Sequence, residues 1–179
     1  MSLLTVRDAA TGALELKTDD PAQIAAVLAE VGVRFERWPL ADLPADASAE
    51  EVLAAYRPRL DALMGETGAG SADVVKLDPS HPQKDALRAK FLAEHTHTED
   101  EVRYFHAGCG NFVLHIRGKI YDAHCTAGDL ISVPANTTHW FDPGPEPRFT
   151  ALRIFTDTAG WVPHYTGSDI AERFPVITA

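Results

Sequence analysis

Cysteine is scarce in this chain of 179 residues: only Cys109 and Cys125 occur. They do not have the spacing of a thiolate metal site. The two could pair, but a reduced, cytoplasmic chain is the expectation. Basic residues are outnumbered, 16 Lys and Arg against 26 Asp and Glu, for a net charge of −10. No clustered Lys/Arg face stands out, so no nucleic-acid partner is expected. No apolar run approaches the roughly 20 residues of a membrane-spanning helix, so no membrane contact is expected either. Arg7 and Asp8 interrupt the first apolar stretch too early for a signal peptide. Internal repeats and low-complexity tracts are missing too.

The rest of the composition is ordinary for a globular protein, with 45% hydrophobic and 23% charged residues. The length suits one domain with a full core. Ser2 to Val6 and Ala13 to Lys17 read as a hairpin around Thr11-Gly12. Asp20-Pro21 opens a helix whose Ile24, Val27, Leu28 and Val31 recur at helical spacing, and Gly32 stops it. Val33 to Trp38 reads as a strand. Ser48 and Glu51 form a capping box for a second helix striped by Leu53, Tyr56, Leu60 and Leu63. Ala72 to Leu77 is a further strand, and His81-Pro82 begins a third helix that carries Leu87, Lys90 and Phe91. Short strands then follow at 101–107, 110–116, 119–126, 129–133, 138–142 and 148–156, punctuated by Gly108, Gly110, Gly118 and Gly128. Even spacing of this kind predicts an antiparallel sandwich or barrel. The tail is irregular, with a short helix near Ser168 to Arg173.

Chemistry concentrates between Glu94 and Tyr104. His95, His97 and Glu101 lie there at offsets 0, 2 and 6. On an extended strand, residues two apart share a face, so 95, 97, 101 and 103 would project together. Two imidazoles and a carboxylate on one face match the donor set that holds Fe(II) with positions left open. Burying them without a cation would be costly. A fourth donor, His139, follows the turn at Pro134 and Asn136 and should return to the same interior. Arg103 shares the parity of the donors. It either forms a surface pair with Glu99 or Asp100, or turns inward to bind an anion. His81, His106, His115, His124 and His164 read as structural or exposed.

His95-x-His97-x3-Glu101-x6-Gly108 and Gly128-x5-Pro134-x4-His139 resemble the two cupin motifs. Ala89 and Asn136 stand where the motifs carry glycine, and the Asn that follows the last His is absent. Glu94-His-Thr-His-x-x-Asp-Glu-x-Arg103-Tyr104 extends the likeness. So do Pro134-Ala135 with His139-x-Phe141, Arg153-Ile154-Phe155 and Gly160-Trp161-Val162. Together, over roughly residues 80 to 175, they resemble the acireductone dioxygenase family.

That resemblance implies a mainly β, α+β fold: a cupin-type antiparallel barrel with packed N-terminal helices. Residues 1–179 would form one domain, with a mixed part at 1–92, a barrel core at 93–160 and a tail at 161–179. It implies one Fe(II) or Ni(II) per chain on His95, His97, Glu101 and His139. The substrate implied is the enediol 1,2-dihydroxy-5-(methylthio)pent-1-en-3-one, cleaved with O2 in methionine salvage. The Fe form would give formate and 4-methylthio-2-oxobutanoate; the Ni form, formate, carbon monoxide and 3-methylthiopropanoate. Arg103 would favour the substrate dianion, Glu94 aid metal loading and Asp100 act as a conformational relay. Phe91, Phe141 and Trp161 would wall the pocket. Arg153 stands between substrate binding and a surface pair. A cytoplasmic monomer is expected. Two rivals remain: another cupin isomerase or dioxygenase, and a non-catalytic cupin that binds a small ligand.

Overall fold

The hairpin forms between β1 (Leu3–Asp8) and β2 (Leu14–Thr18), a residue or two beyond the expected bounds. The Asp8 carboxylate closes its turn by accepting from the Thr11 amide and hydroxyl. In this computed structural model, residues 1–157 and 162–176 of the chain are described. Helix α1 (Pro21–Ala29) starts at Asp20, whose side chain accepts the Ala22 amide. Strand β3 (Arg34–Arg37) follows. The capping box of α2 (Ala49–Thr67) is present in both directions: the Glu51 amide donates to Ser48 Oγ and the Ser48 amide to the Glu51 carboxylate. Its buried stripe is Val52, Tyr56, Leu60 and Leu63; Leu53 is only half-buried beside it. After β4 (Ser71–Leu77), the chain makes an Asp78-centred turn, so α3 (Lys84–Leu92) begins later than the His81-Pro82 signal suggested. Then come β5 (His95–Thr96), β6 (Glu101–Ile116), β7 (Lys119–Thr126), β8 (Asp129–Val133), β9 (His139–Asp142) and β10 (Phe149–Phe155). The tail supplies β11 (His164–Tyr165), which the sequence did not signal, and α4 (Ile170–Arg173).

Strand β6 joins two sheets. Its first half pairs with β8 and β10, in the row β3–β8–β6–β10–β4. Its second half pairs with β7 and β9, in the row β11–β5–β9–β6–β7–β1–β2. Every pairing is antiparallel, as the evenly spaced strands predict. Two strands had been expected at 101–107 and 110–116; one strand of 16 residues bends through both. The bend has two causes. Phe105 faces Ala151 while Ala107 faces Thr150, so His106 is an extra, bulged residue. Gly108 takes φ +73 where the Arg148 carbonyl comes close: a Cβ there would lie 1.8 Å from its oxygen.

The bulge shifts which residues face inward. Before it, the odd residues Glu101, Arg103 and Phe105 point into the barrel; after it, Phe112 and Leu114 do. The outer face of the first half is apolar as well, because α2 covers it. Tyr56 and Leu60 pack on Val102, Tyr104, Leu130 and Leu152. Each fully buried side chain of this kind contributes about 1.5–3 kcal/mol. The barrel interior is a second cluster, with Phe35, Phe105, Phe112, Ile131 and Phe149 meeting α1 through Ile24 and Leu28.

Candidate metal centre

Strands β5 and β9 pair through a single residue on each, His95 opposite His139. Leu114 of β6 lies opposite His139 on the other side. The expected continuous strand from His95 to Arg103 is interrupted: residues 97–100 leave the ladder and bind the next turn instead. The Asn136 amide donates to the His97 carbonyl at 2.8 Å, and the Ala135 amide to Asp100 Oδ1 at 2.8 Å. Asn136 sits at φ +62, a conformation that Asn tolerates and that the motif glycine would otherwise supply. The clamp carries His97 and His139 to one place although no strand joins them.

His95, His97 and His139 are all buried, and their donor atoms lie within 4.8 Å of one another. Each ring is oriented by the main chain. Nδ1 of His95 meets the Ala93 carbonyl at 2.7 Å, that of His97 the Val162 carbonyl at 2.9 Å, and that of His139 the Thr137 carbonyl at 2.8 Å. A carbonyl can only accept, so each Nδ1 holds the proton and each Nε2 of a neutral ring offers a lone pair. Burial, and then the nearby His139, lower the His95 pKa to about 4, which keeps that ring neutral near pH 7.

Glu101 enters the same space. Its Oε2 is 2.9 Å from His139 Nε2 and 3.3 Å from His97 Nε2. Burial would raise its pKa, but the Arg103 charge and the two imidazoles hold it well below the usual carboxylate range. The Glu101 carboxylate and the Nε2 atoms of His97 and His139 therefore converge on one buried space. His95 Nε2 is likewise buried with no hydrogen-bond partner among the described residues. Such a set accommodates a cation. The spacings are close to the roughly 3 Å edge of an octahedron with bonds of about 2.1 Å.

Arg103 turns inward, and the surface alternative fails: it is 5% exposed. Its Nη2 donates to Glu101 Oε1 at 2.9 Å, and its guanidinium lies 4.4 Å from the Phe141 ring centre and 5.2 Å from that of Phe112. Burial lowers its pKa, Glu101 opposes that, and a guanidinium stays charged at neutral pH. A cavity of about 70 Å³ opens beside it, lined by Phe91, Phe141, Phe149, Leu77, Leu87 and Arg153 among others.

Comparison with known proteins agrees with this geometry. The ARD/ARD′ family model matches residues 4–163. The acireductone dioxygenase of Acidiphilium cryptum is 64% identical over 179 residues, covering 98% of this chain and 99% of that one. That of Granulibacter bethesdensis is 60% identical over 177 residues, with 98% and 99% covered. The solved acireductone dioxygenase from Bacillus anthracis, with a cadmium ion in its active centre, superposes with a TM-score of 0.83. It is 31% identical and spans 92% of this chain and 98% of its own.

The chain belongs to the ARD/ARD′ family. It is accordingly a dioxygenase of cupin fold, with a cluster of three histidines that could hold a metal ion.

The remaining family positions fall in different settings. Phe91 of α3 is half-buried, 5.7 Å from the His95 ring and 6.2 Å from that of His97. Phe141 presses on Gly110, where even a Cβ would meet its ring at 2.5 Å. Arg153 lies opposite Arg103 across the ladder, with its fork on Asp73 at 2.8 and 2.6 Å. Lys90, expected toward the site, is exposed, its ammonium 5.0 Å from the Phe91 ring centre. Trp161 and Gly160 lie outside the described residues. Glu94 is buried, 4% exposed, its carboxylate accepting from His115 Nδ1 at 2.8 Å and Thr166 Oγ1 at 2.7 Å. Sequence reasoning missed Phe112, hidden by the bulge, and His115, whose partner is 21 residues away. It also missed β11, which pairs His164 and Tyr165 with Thr96 and His95.

Proposed function

We propose that His95, His97, Glu101 and His139 hold one Fe(II) or Ni(II) per chain. The enzyme would cleave 1,2-dihydroxy-5-(methylthio)pent-1-en-3-one with O2, in methionine salvage. The observation that carries this reading is the meeting of buried lone pairs from three backbone-oriented imidazoles and an ionised carboxylate. Imidazole and carboxylate suit both ions. When bound, the metal supplies Lewis acidity and two further positions, enough for a ligand that chelates through two oxygens.

The chain's own residues do the rest. Glu101 fixes the Arg103 guanidinium from one side and the Phe141 ring from another. Arg103 is thus preorganised to stabilise the enediol as its dianion, with little reorganisation at the moment of reaction. Phe91 and Phe141 exclude water, which strengthens that charge interaction. Arg153, neutralised by Asp73, adds a weaker positive field at the wall. Asp100 holds the turn that delivers His139, a position from which it could relay a conformational change. Glu94 secures the start of β5 and so assists loading. Trp161 completes the wall in this reading. We further propose a single-domain cytoplasmic monomer.

Two measurements test this. Elemental analysis of the four single Ala variants at His95, His97, Glu101 and His139 should show lost metal; full occupancy in any one removes that residue from the set. Apoprotein reloaded with Ni(II) should release carbon monoxide from the enediol, and Fe(II)-loaded protein should give 4-methylthio-2-oxobutanoate instead. Identical product ratios for the two ions would refute the metal-dependent branch.

A further inference from the structure

His115 is the second-last residue of β6, and it faces away from the imidazoles. Its neighbour Leu114 is the residue that pairs with His139. Three contacts tie His115 to the segments just before two of the histidines. Its amide donates to the Thr138 carbonyl at 2.9 Å. Its own carbonyl accepts from Thr138 Oγ1 at 2.6 Å. Its ring Nδ1 meets Glu94 Oε2 at 2.8 Å. Since a carboxylate accepts, Nδ1 is the donor. Thr138 precedes His139 and Glu94 precedes His95. One residue thus contacts the residue before each of two of the three imidazoles, at the backbone of Thr138 and at the side chain of Glu94.

The need for such a tie follows from the sheet. Strands β5 and β9 share one residue pair, too little to set their spacing alone. The Glu94 carboxylate is buried, so its hydrogen-bond partners fix where it sits. Thr166 holds the other carboxylate oxygen from the C-terminal side, which leaves His115 as the partner supplied by the barrel itself.

We propose that His115 is a positioning residue for the metal site, acting through Glu94 and Thr138 on His95 and His139. The inference rests on the reading that these imidazoles hold a metal. Loss of the ring leaves Glu94 held from the Thr166 side alone and lets His95 drift relative to His139. The expected cost is a roughly tenfold weaker metal affinity, at the lower end for partners that orient ligands.

The test is Ni(II) affinity by chelator competition, with thermal melts of apo and loaded protein. His115→Ala should weaken Ni(II) about tenfold while the apoprotein melts close to wild type. His115→Asn, whose amide can donate to Glu94 from nearly the same place, should recover most of the affinity. Thr138→Val removes the hydroxyl tie from the other side and should weaken Ni(II) in the same direction, which covers the case of an insoluble His115→Ala. Wild-type affinity in both His115→Ala and Thr138→Val overturns the proposal. So does a fall in apoprotein melting with affinity unchanged, or an Asn variant no better than Ala. If wild-type protein itself fails to bind Ni(II), the underlying site reading is what has failed.

Discussion

Among the buried carboxylates of this barrel, Glu101 and Asp129 have opposite fates. Glu101 meets Arg103, itself buried, and two imidazoles; its pKa falls well below the usual range although burial works against that. Asp129 opens β8 and is fully buried. It accepts from Ser2 Oγ at 2.5 Å and the Thr126 amide at 2.8 Å, with Arg37 Nε at 3.2 Å. Yet burial wins and its pKa is raised. The Arg37 side chain is 43% exposed, so water screens its charge, whereas Arg103 is sealed in with its partner. Neutral donors and a screened cation secure a carboxylate in place without offsetting its burial. A desolvated cation does both. The first arrangement ties the N-terminal strand to the β7–β8 turn; the second holds a charged carboxylate beside the three imidazoles.

The contrast can be broken most severely at Arg103. Arg103→Ala should lower turnover by a factor of about 10² to 10³, the usual loss on removing one preorganised charge-stabilising donor. Metal content should remain near wild type, and anaerobic substrate should fail to show the dianion absorption. Normal turnover with normal metal would make Glu101's partner a structural cation only. Asp129→Ala should leave metal occupancy unchanged and instead destabilise the fold by about 1–3 kcal/mol for each buried partner left without an acceptor. Denaturant unfolding measures this, and a loss of metal at full stability would merge the two regions. The smallest effect is on pH dependence, measured as melting temperature of apoprotein in chelator. Asp129 has a raised folded pKa, so its favourable contribution is complete below its ordinary value of 3.8 and is lost as pH rises through the raised one. Glu101 is depressed, so its contribution is present above 4.5 and lost as pH falls through the lower value. Asp129→Asn should therefore gain relative to wild type as pH rises from about 4, and Glu101→Gln should flatten the acid limb. Parallel curves for all three proteins would void the comparison.

The site was legible because its chemistry is local. His95, His97, Glu101 and Arg103 lie within nine residues, and their donor types point to one another. The caps at Asp20 and Ser48 were equally plain, since a cap is decided within four residues. What stayed hidden depends on distant chain. The break at residues 97–100 exists because amides of Ala135 and Asn136 claim Asp100 and His97. The bulge at His106 is set by its partner strand, and only that shift brings Phe112 under Arg103. Phe141 could be assigned to the cavity by likeness, but the bare surface of Gly110 that seats it could not.

The three imidazoles are all oriented by main-chain carbonyls, and this sets an electrostatic balance. A carboxylate in that role would push each ring toward anionic character; a neutral carbonyl leaves it neutral. In the proposed ligand set, a divalent ion is then offset by Glu101 alone and keeps one net positive charge, and Arg103 adds a second. A doubly deprotonated enediol brings that enclosure to electroneutrality, while a neutral or singly charged competitor leaves it with excess charge. Because the orienting groups belong to the backbone, no single side-chain substitution at those acceptors can change this balance.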